Sequence, residues 1–412
     1  MPAASQPCDT LLPTVRVEAA TSTPAAEVDT VTGTPAPSGT TRRPRVGLVA
    51  TRAYPDLGGI ESHVENLLSR LDGSRWDLDL VVSSTDRTLP AHDVRHGVPL
   101  RRHRAFPGDR DWYISPGIFL DVLRGRRDLL HIHGINALVP PVAMLAAVLS
   151  RTPFVLTFHS GGANTGFRRR IRSTQWRVLG PLLRRARALV AVSASEAATF
   201  EAVVRRGTIP VIPNGSFDLP APAGVEADPD LVLSVGRLEQ YKGHQRLVEA
   251  VPHLLRTRPR LRVRILGTGP YEPALRALVA RLDLTDRVTI TSVPPQDREA
   301  MARELATAGA VVLLSDYEAH PVVVMEAVSL GRPVVARRNS GLVQFIDDGQ
   351  VDGVPDDADA ATVAAGVDTA LRRGSRPVPV LPTWDECAAG VETLYARLTG
   401  TAVETSPPHR GP

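Results

Sequence analysis

Two glutamates separated by seven residues stand where a strand-like run gives way to a helical pattern. Glu318 lies in the connecting loop and Glu326 lies along the helix, whose first turn suits Pro321 because the missing N–H has no partner there. The N–H groups near Val322 and Val323 would be free to bind an anion. Together these groups could hold a sugar, a phosphate and a ribose. Two solvated acids are the commoner explanation of a bare pair, so the surrounding residues decide.

Two cations follow another strand-like run. Arg237 and Lys242 come directly after Leu231–Gly236. Guanidinium and ammonium groups bind phosphate oxygens strongly, so cations beside helix amides suit a diphosphate leaving group. A charged surface loop is the alternative. We predict phosphate binding because the cations occur together with the glutamate pair.

Histidines stand at the ends of two further runs. His159 follows the run that begins at Phe154, where a histidine has either a structural role or a role in a reaction. His131 and His133 share one face of another strand. No third ligand accompanies them, and the Asp-Leu-Asp at 77–79 alternates like a strand with one polar face. No metal site is therefore predicted.

Adjacent glycines, Gly58 and Gly59, follow the first strand-like run. They allow a ligand to approach the backbone closely, or they form a simple tight turn. The loop lacks the Gly-x-Gly-x-x-Gly pattern of dinucleotide-binding proteins, and no matching acid follows it. This departure counts against a dehydrogenase.

The elements that would position these residues alternate between strand and helix in two blocks. Apolar strands alternating with helices are typical of parallel sheets covered on both faces, whose ligands bind at the carboxyl ends of strands. The strands are predicted at 45–50, Leu78–Ser83, Leu129–His133, Phe154–Phe158, Leu189–Ser193 and Pro210–Ile212, and again at Leu231–Gly236, Leu261–Leu266, Val288–Thr291, Ala310–Leu314 and Pro333–Ala336.

The pattern and the length of 412 residues predict two doubly wound α/β domains. Residues 1–43 and 401–412 lack hydrophobic periodicity and are predicted to be disordered. The first domain is predicted at 44–217, a linker at 218–230, the second domain at 231–382 and a final helical segment at 383–400.

Composition limits the partners and the location. A net charge of +4 allows polyphosphate, nucleic acid or an anionic membrane and requires none of them; nucleic acid is not predicted as a partner. Two distant cysteines and the lack of a signal-peptide pattern indicate a cytoplasmic protein. The longest apolar stretch, Ala137–Leu149, is too short to span a bilayer and is predicted to be a buried helix.

A basic cluster in the first domain comprises Arg168, Arg169, Arg170 and Arg172. Such clusters are most often solvated helix faces. The alternative is a docking surface for an anionic membrane or a phosphorylated acceptor. That alternative would place the protein peripherally at the inner face of the membrane.

Six segments resemble, in order, the motifs of family 4 glycosyltransferases, a large retaining family with the GT-B fold. Residues 315–336 resemble the Glu-x7-Glu signature, and residues 236–250 resemble the Gly-Arg-x4-Lys-Gly donor loop. The four shorter similarities are at 58–61, 157–161, 211–215 and 266–270. Each motif is weak alone, but six in order support the resemblance, which extends over residues 44–400.

The resemblance implies a GT-B fold, in which two Rossmann-like doubly wound parallel-sheet domains face a cleft. The first domain would bind the acceptor and the second a nucleotide sugar, and the final helix would return to the first domain. His159 and Glu318 are the implied catalytic residues. The implied donor-binding residues are Gly58, Gly59, Arg237, Lys242, Pro321, Val322, Val323 and Glu326.

The implied activity is retaining transfer of a hexose or N-acetylhexosamine from a nucleotide-diphosphate sugar to a hydroxyl acceptor in glycan, glycolipid or natural-product biosynthesis. No metal or cofactor is implied. A UDP-sugar is favoured, with GDP-mannose as the other donor, and the acceptor is not identified. The alternatives are a GT-B epimerase or phosphorylase, or a non-catalytic nucleotide-sugar-binding module.

One segment departs from the family pattern. After the strand at 333–336 the family has a Gly-Gly-x-x-Glu loop, whereas this chain has AsnSerGlyLeuValGlnPhe at 339–345. Gln344 replaces the acid and one glycine is missing. The departure indicates either that this loop meets the donor phosphate or sugar differently or that the donor sugar is a different one.

Overall fold

The computed structural model describes residues 42–55, 58–106, 113–135, 137–159, 175, 178–205, 207–216, 222–294 and 297–401. The chain divides into a unit of residues 1–42 and a compact unit of residues 43–412, and the sheets of the described residues lie in the second unit. The predicted disordered ends, apart from their innermost residues, fall outside the described residues. So do Arg168, Arg169, Arg170 and Arg172.

The first lobe is built on a sheet of seven strands. They are β1 (Arg45–Ala50), β2 (Asp77–Ser84), β3 (His92–Arg95), β4 (Val98–Arg104), β5 (Leu129–His133), β6 (Phe154–Thr157) and β7 (Ala188–Val190), in the order β3-β4-β2-β1-β5-β6-β7. Neighbouring strands are parallel except β3 and β4, which pair antiparallel at one edge. The central strand β1 buries every residue after its first, as a strand covered on both faces must.

Helices cover both faces of this sheet. They are α1 (Gly59–Leu68), α2 (Pro116–Arg124), α3 (Val139–Ser150) and α4 (Ala194–Val204). α2, α3 and α4 contribute to one apolar cluster, and α1 contributes to another on the opposite face. Ser193 caps α4 by accepting a hydrogen bond from the Glu196 N–H, as a serine at this position commonly does.

The second lobe repeats the plan with six parallel strands. They are β8 (Asp228–Val235), β9 (Arg262–Leu266), β10 (Val288–Thr291), β11 (Ala308–Leu313), β12 (Val334–Arg337) and β13 (Asp352–Val354), in the order β10-β9-β8-β11-β12-β13. Its helices are α5 (His244–Leu254), α6 (Glu272–Arg281), α7 (Arg298–Thr307), α8 (Val322–Ser329), α9 (Leu342–Asp347) and α10 (Ala360–Arg373). Two doubly wound parallel-sheet domains, as predicted, are therefore present.

The final helix, α11 (Trp384–Thr399), packs on the first lobe although it follows the second in sequence. Thr383 and Glu386 form a reciprocal capping box that fixes its start. Trp384, Cys387 and Tyr395 are buried in the apolar cluster that contains α1 and β1. α11 thus connects the second lobe back to the first.

The structure corrects several predicted elements. β8 begins at Asp228, inside the predicted linker, and Pro210–Ile212 forms only a single bridge, between Ala191 and Val211. β3, β4 and β13 were not predicted, because short runs rich in charged residues lack the apolar signal of a buried strand.

The predicted buried helix at Ala137–Leu149 corresponds to α3, which is not buried all round. Leu145 and Leu149 are 44% and 58% exposed. Within the described residues, no helix combines the length and apolarity that crossing a bilayer requires.

Candidate active site

The predicted glutamate and lysine come together at the carboxyl ends of two adjacent strands. Lys242 follows β8 and Glu318 follows β11, and the Lys242 Nζ lies 2.7 Å from the Glu318 Oε1. The Ser315 hydroxyl donates to the same oxygen, also at 2.7 Å. Burial lowers the pKa of Lys242, but the Glu318 carboxylate outweighs it and the net pKa is raised. The lysine is therefore a cation at neutral pH.

Gly243 makes this approach sterically feasible. Its φ of +75° lies in the left-handed region, which favours glycine. A Cβ at this position would lie 2.0 Å from the Leu314 carbonyl oxygen, at the end of β11. The absence of a side chain lets the loop carrying Lys242 lie directly against the loop carrying Glu318.

The segment that departs from the family pattern holds the backbone of Glu318. The Ser340 Oγ accepts a hydrogen bond from the Glu318 N–H at 2.9 Å, and the Gly341 N–H donates to the Glu318 carbonyl at 2.9 Å. A Cβ on Gly341 would lie 2.0 Å from the Ala319 carbonyl oxygen. No local pattern in the sequence indicates this role, since the contacts join loops 22 residues apart.

Arg237 lies at the edge of the site with a 61% exposed side chain. It contacts Glu239 at 2.6 Å and donates to the Tyr241 hydroxyl at 2.7 Å. Burial opposes its charge, but the pKa is raised by Tyr241, Glu239 and, from the first lobe, Glu61. Side chains of both lobes therefore favour the charged form of Arg237.

Glu326 does not pair with the predicted cations. It is 4% exposed, and its partner is Arg298, the first residue of α7. Burial raises the pKa of Glu326, and the Arg298 guanidinium opposes that rise. The sequence prediction identified the acid but not the arginine that contacts it.

The N-terminus of α8 lies directly beyond Glu318. Pro321 is the N-cap, so the helix begins at Val322 and not at the proline. Val322 and Val323 are its first two residues, and the N–H groups of a first helical turn have no acceptors within the helix. The positive end of the helix dipole thus begins four residues after Glu318 in the chain.

The predicted histidine, His159, lies among imidazoles of the first lobe. Its Nε2 is 3.3 Å from the His133 Nδ1, and its ring centroid is 4.5 Å from that of His63. Burial, followed by the neighbouring histidines, lowers the pKa of His159 and of His133 well below the ordinary value. These rings are uncharged at neutral pH.

A hydrogen-bond chain links the imidazoles to the second lobe. The His63 Nδ1 lies 2.8 Å from the Asn214 Oδ1, and the Asn214 Nδ2 donates to the His320 carbonyl at 3.3 Å. His63 and Asn214 were not singled out in the sequence, because they come from α1 and from a loop 151 residues later. Their proximity depends on the tertiary fold.

The predicted glycines lie at the start of α1. Gly58 has an extended φ of −156°, which any residue can adopt, and Gly59 faces open space, because a Cβ added there would meet no atom within 4 Å. Neither glycine is required by backbone conformation. The space beside Gly59 is consistent with the predicted close approach of a ligand.

The fold and these strand-end loops define a GT-B glycosyltransferase, and comparisons identify the family. The family model "Glycosyltransferase Family 4" matches residues 57–216, and "Glycosyl transferases group 1" matches residues 217–377. The chain belongs to the family 4, group 1 glycosyltransferases. It is a glycosyltransferase, and the epimerase, phosphorylase and binding-module alternatives receive no support.

Two curated relatives and one solved structure illustrate the similarity. GDP-mannose:cellobiosyl-diphosphopolyprenol alpha-mannosyltransferase of Xanthomonas oryzae pv. oryzae is 28% identical over 69% of this chain and 76% of its own length. D-inositol 3-phosphate glycosyltransferase of Xylanimonas cellulosilytica is 28% identical over 87% and 98%. Sucrose-phosphate synthase from Thermosynechococcus elongatus superposes with a TM-score of 0.68 at 22% identity, over 87% of this chain and 100% of that one.

Proposed function

We propose that this glycosyltransferase transfers a hexose or N-acetylhexosamine from a nucleotide-diphosphate sugar to a hydroxyl acceptor, with retention of the anomeric configuration. The observation that carries the proposal is the Lys242–Glu318 contact of 2.7 Å beside the N-terminus of α8. A cation, a carboxylate and helix amides at one place match the phosphate and sugar hydroxyls of such a donor.

The leaving diphosphate would be stabilised by Lys242, Arg237 and the amides of Val322 and Val323. These groups are in place before the bond breaks, so they need little reorganisation as negative charge builds up. Because they supply the positive charge, we propose that transfer needs no metal ion. Activity that is unchanged after treatment with a chelator would support this point, and loss that Mg²⁺ or Mn²⁺ restores would contradict it.

The donor sugar would lie between Glu318 and His159. The carboxylate would accept hydrogen bonds from sugar hydroxyls and favour the positive charge that develops at the anomeric carbon. The neutral imidazole of His159 can hydrogen-bond the sugar without repelling that charge. Retention requires the acceptor to attack the face from which the diphosphate leaves, and the family resemblance supports it.

Glu326 would bind the ribose of the donor through its carboxyl group, which the Arg298 guanidinium contacts. Two nucleotide bases, uracil and guanine, are candidates for the donor. Family frequency favours a UDP-sugar, which we keep as the first candidate. The Xanthomonas relative is named for GDP-mannose, which makes GDP-mannose the second.

The acceptor and the membrane contact form a separate proposal for a cytoplasmic enzyme at the inner membrane face. Both relatives above are named for phosphorylated acceptors, one of them on a polyprenol. We propose that Arg168, Arg169, Arg170 and Arg172 dock the first lobe on anionic lipid. Flotation with anionic vesicles that is lost when the four arginines become serine would support this, and equal flotation of both proteins would contradict it.

A donor screen tests the main proposal. UDP-glucose, UDP-N-acetylglucosamine, UDP-galactose and GDP-mannose are titrated by calorimetry, and donor hydrolysis is measured in parallel. Lys242→Ala and Glu326→Ala are compared with Arg303→Ala, which removes only an exposed pair with Glu299. Binding of one donor, lost in the first two variants and kept in the third, supports the site. Binding that survives both substitutions, or no binding to the wild type, overturns it.

A further inference from the structure

Three histidines from separate elements place ring nitrogens around one point. His63 comes from α1, His133 ends β5 and His159 follows β6, and one nitrogen from each lies within 4.8 Å of the others. The His133 Nδ1 and the His159 Nε2 are 3.3 Å apart. In a tetrahedral site with Zn–N bonds of about 2.0–2.1 Å, the ligand nitrogens are about 3.3–3.4 Å apart. One edge of such a tetrahedron therefore already has its proper length.

The protonation of His63 follows from its neighbours. Since the Asn214 Nδ2 donates to the His320 carbonyl, the Asn214 Oδ1 faces His63 and must accept a proton from the His63 Nδ1. The His63 Nε2 therefore carries a lone pair, and it is buried with no hydrogen-bond partner among the described residues. In metal sites a ligand histidine usually donates its other ring N–H to an oxygen acceptor, which fixes the orientation of the ring.

The remaining ligands are also suited to a metal. His133 would offer its Nδ1, the nitrogen that lies 3.3 Å from the His159 Nε2. His159 is only partly buried, and we expect water or an added ligand to supply the fourth position.

His131 is close by but cannot take part. Its Nδ1 lies 2.6 Å from the Tyr395 hydroxyl, and its Nε2 lies 2.7 Å from the Thr157 hydroxyl. With both nitrogens engaged, it serves as a matched control for the three candidate ligands.

We infer that His63, His133 and His159 form a binding site for one first-row transition-metal dication, such as Zn²⁺, and that an ion there inhibits transfer. Imidazole nitrogens suit Zn²⁺, Co²⁺, Ni²⁺ and Cu²⁺, whereas Mg²⁺ and Ca²⁺ prefer oxygen. Inhibition rests on the proposed function, because a metal on His159 removes the ring nitrogen that would face the donor sugar. Binding itself does not depend on that proposal.

Co²⁺ is the direct probe, since its visible absorption reports the geometry of its ligands. The full-length protein, stripped with chelator, is titrated with Co²⁺ and then with competing Zn²⁺. We expect one equivalent to give the intense absorption of a tetrahedral site, and His63→Gln and His133→Gln to weaken binding at least about 100-fold. His131→Gln should bind like the wild type. Thermal unfolding confirms that each variant is folded.

Weak octahedral absorption from the wild type, or equal binding by all three glutamine variants, would overturn the site. Transfer is then assayed with stoichiometric Zn²⁺ and with excess Mg²⁺. Inhibition by Zn²⁺ alone, reversed when chelator removes the ion, completes the inference. Tetrahedral binding without inhibition would overturn the inhibitory role and leave the site intact. A failed donor screen would concern the proposed function and not this site.

Discussion

The two lobes contribute different kinds of side chain to the candidate site: the first contributes uncharged imidazoles and the second contributes ion pairs. The first lobe contributes His63 and His133, which are buried, and His159, which is partly buried; desolvation lowers the pKa of all three imidazoles. The second contributes charged pairs, Lys242 with Glu318 and Arg298 with Glu326. Under the proposed function this difference separates most of donor recognition from the reacting sugar: the charged face would bind the diphosphate and ribose, and the sugar would lie between Glu318 and the neutral imidazoles. Substitutions on the charged face and on the neutral face should therefore impair different steps, nucleotide binding and sugar transfer respectively.

Removing the cation should have the largest effect. Lys242→Met leaves the buried Glu318 carboxylate without its partner and the diphosphate without its cation. We expect kcat/KM to fall by about 1,000-fold, or about 4 kcal/mol, and the free energy of unfolding to fall by about 3 kcal/mol.

The double variant Lys242→Met/Glu318→Gln separates these two losses. Stability should largely return, because no uncompensated charge stays buried, while activity stays low. Urea unfolding and steady-state kinetics on the same preparations measure both. Recovery of activity in the double variant would show that the lysine serves only to neutralise Glu318.

His244 is a buried, uncharged histidine in the second lobe, where the charged pairs lie. Its lowered pKa predicts that the stability of the protein depends on pH. Burial, helped by Lys242, lowers its pKa to about 4, although its ring nitrogens also hydrogen-bond with the Ser234 hydroxyl and the Arg237 carbonyl. Between pH 6.5 and pH 4, His244 is protonated in the unfolded chain and unprotonated in the folded chain. The native state should therefore lose about 3 kcal/mol as pH falls from 6.5 to 4.

In His244→Asn the free energy of unfolding should fall less steeply as the pH is lowered, because the contribution of His244 is removed. Unfolding free energies of both proteins between pH 4 and pH 8 measure the difference. Parallel curves across that range would mean that His244 is protonated in the folded state, against the burial of its ring.

Glu326→Ala should have an intermediate effect. We expect the KM for the donor to rise by about 30-fold, about 2 kcal/mol, because a hydrogen bond to a charged group is lost. kcat should change much less. Arg298→Met sharpens the test: the pKa of Glu326 should rise further, so donor KM should increase as pH falls. A pH-independent KM in that variant would argue that Glu326 does not bind the donor.

Ser340→Ala should have the smallest effect. It removes the acceptor of the Glu318 N–H, so Glu318 is held less firmly, at a cost of about 1 kcal/mol or about fivefold in kcat/KM. Ser340→Thr keeps the acceptor and should retain most activity. Equal losses in Ala and Thr would point to strain at the left-handed backbone of residue 340, where φ is +45°, as the cause.

The sequence predicted the strands that are apolar on both sides and the loops that follow them, because both depend on local residue types. Lys242 and Glu318 were found through a motif, and their contact follows from adjacent parallel strands. Arg298, Ser340 and Asn214 could not be found this way. Each acts through contacts with a distant element, and no local pattern encodes such a partner.

Nucleotide binding tests the separation of the two faces most directly. UDP and GDP, which lack the sugar, are titrated by calorimetry into chelator-treated wild type, Lys242→Met and His159→Asn. The separation predicts that Lys242→Met weakens binding of the better nucleotide by about 30-fold or more, whereas His159→Asn binds it within about twofold while transfer falls about 100-fold. Weakened nucleotide binding in His159→Asn, or unchanged binding in Lys242→Met, would contradict the division between a diphosphate face and a sugar face.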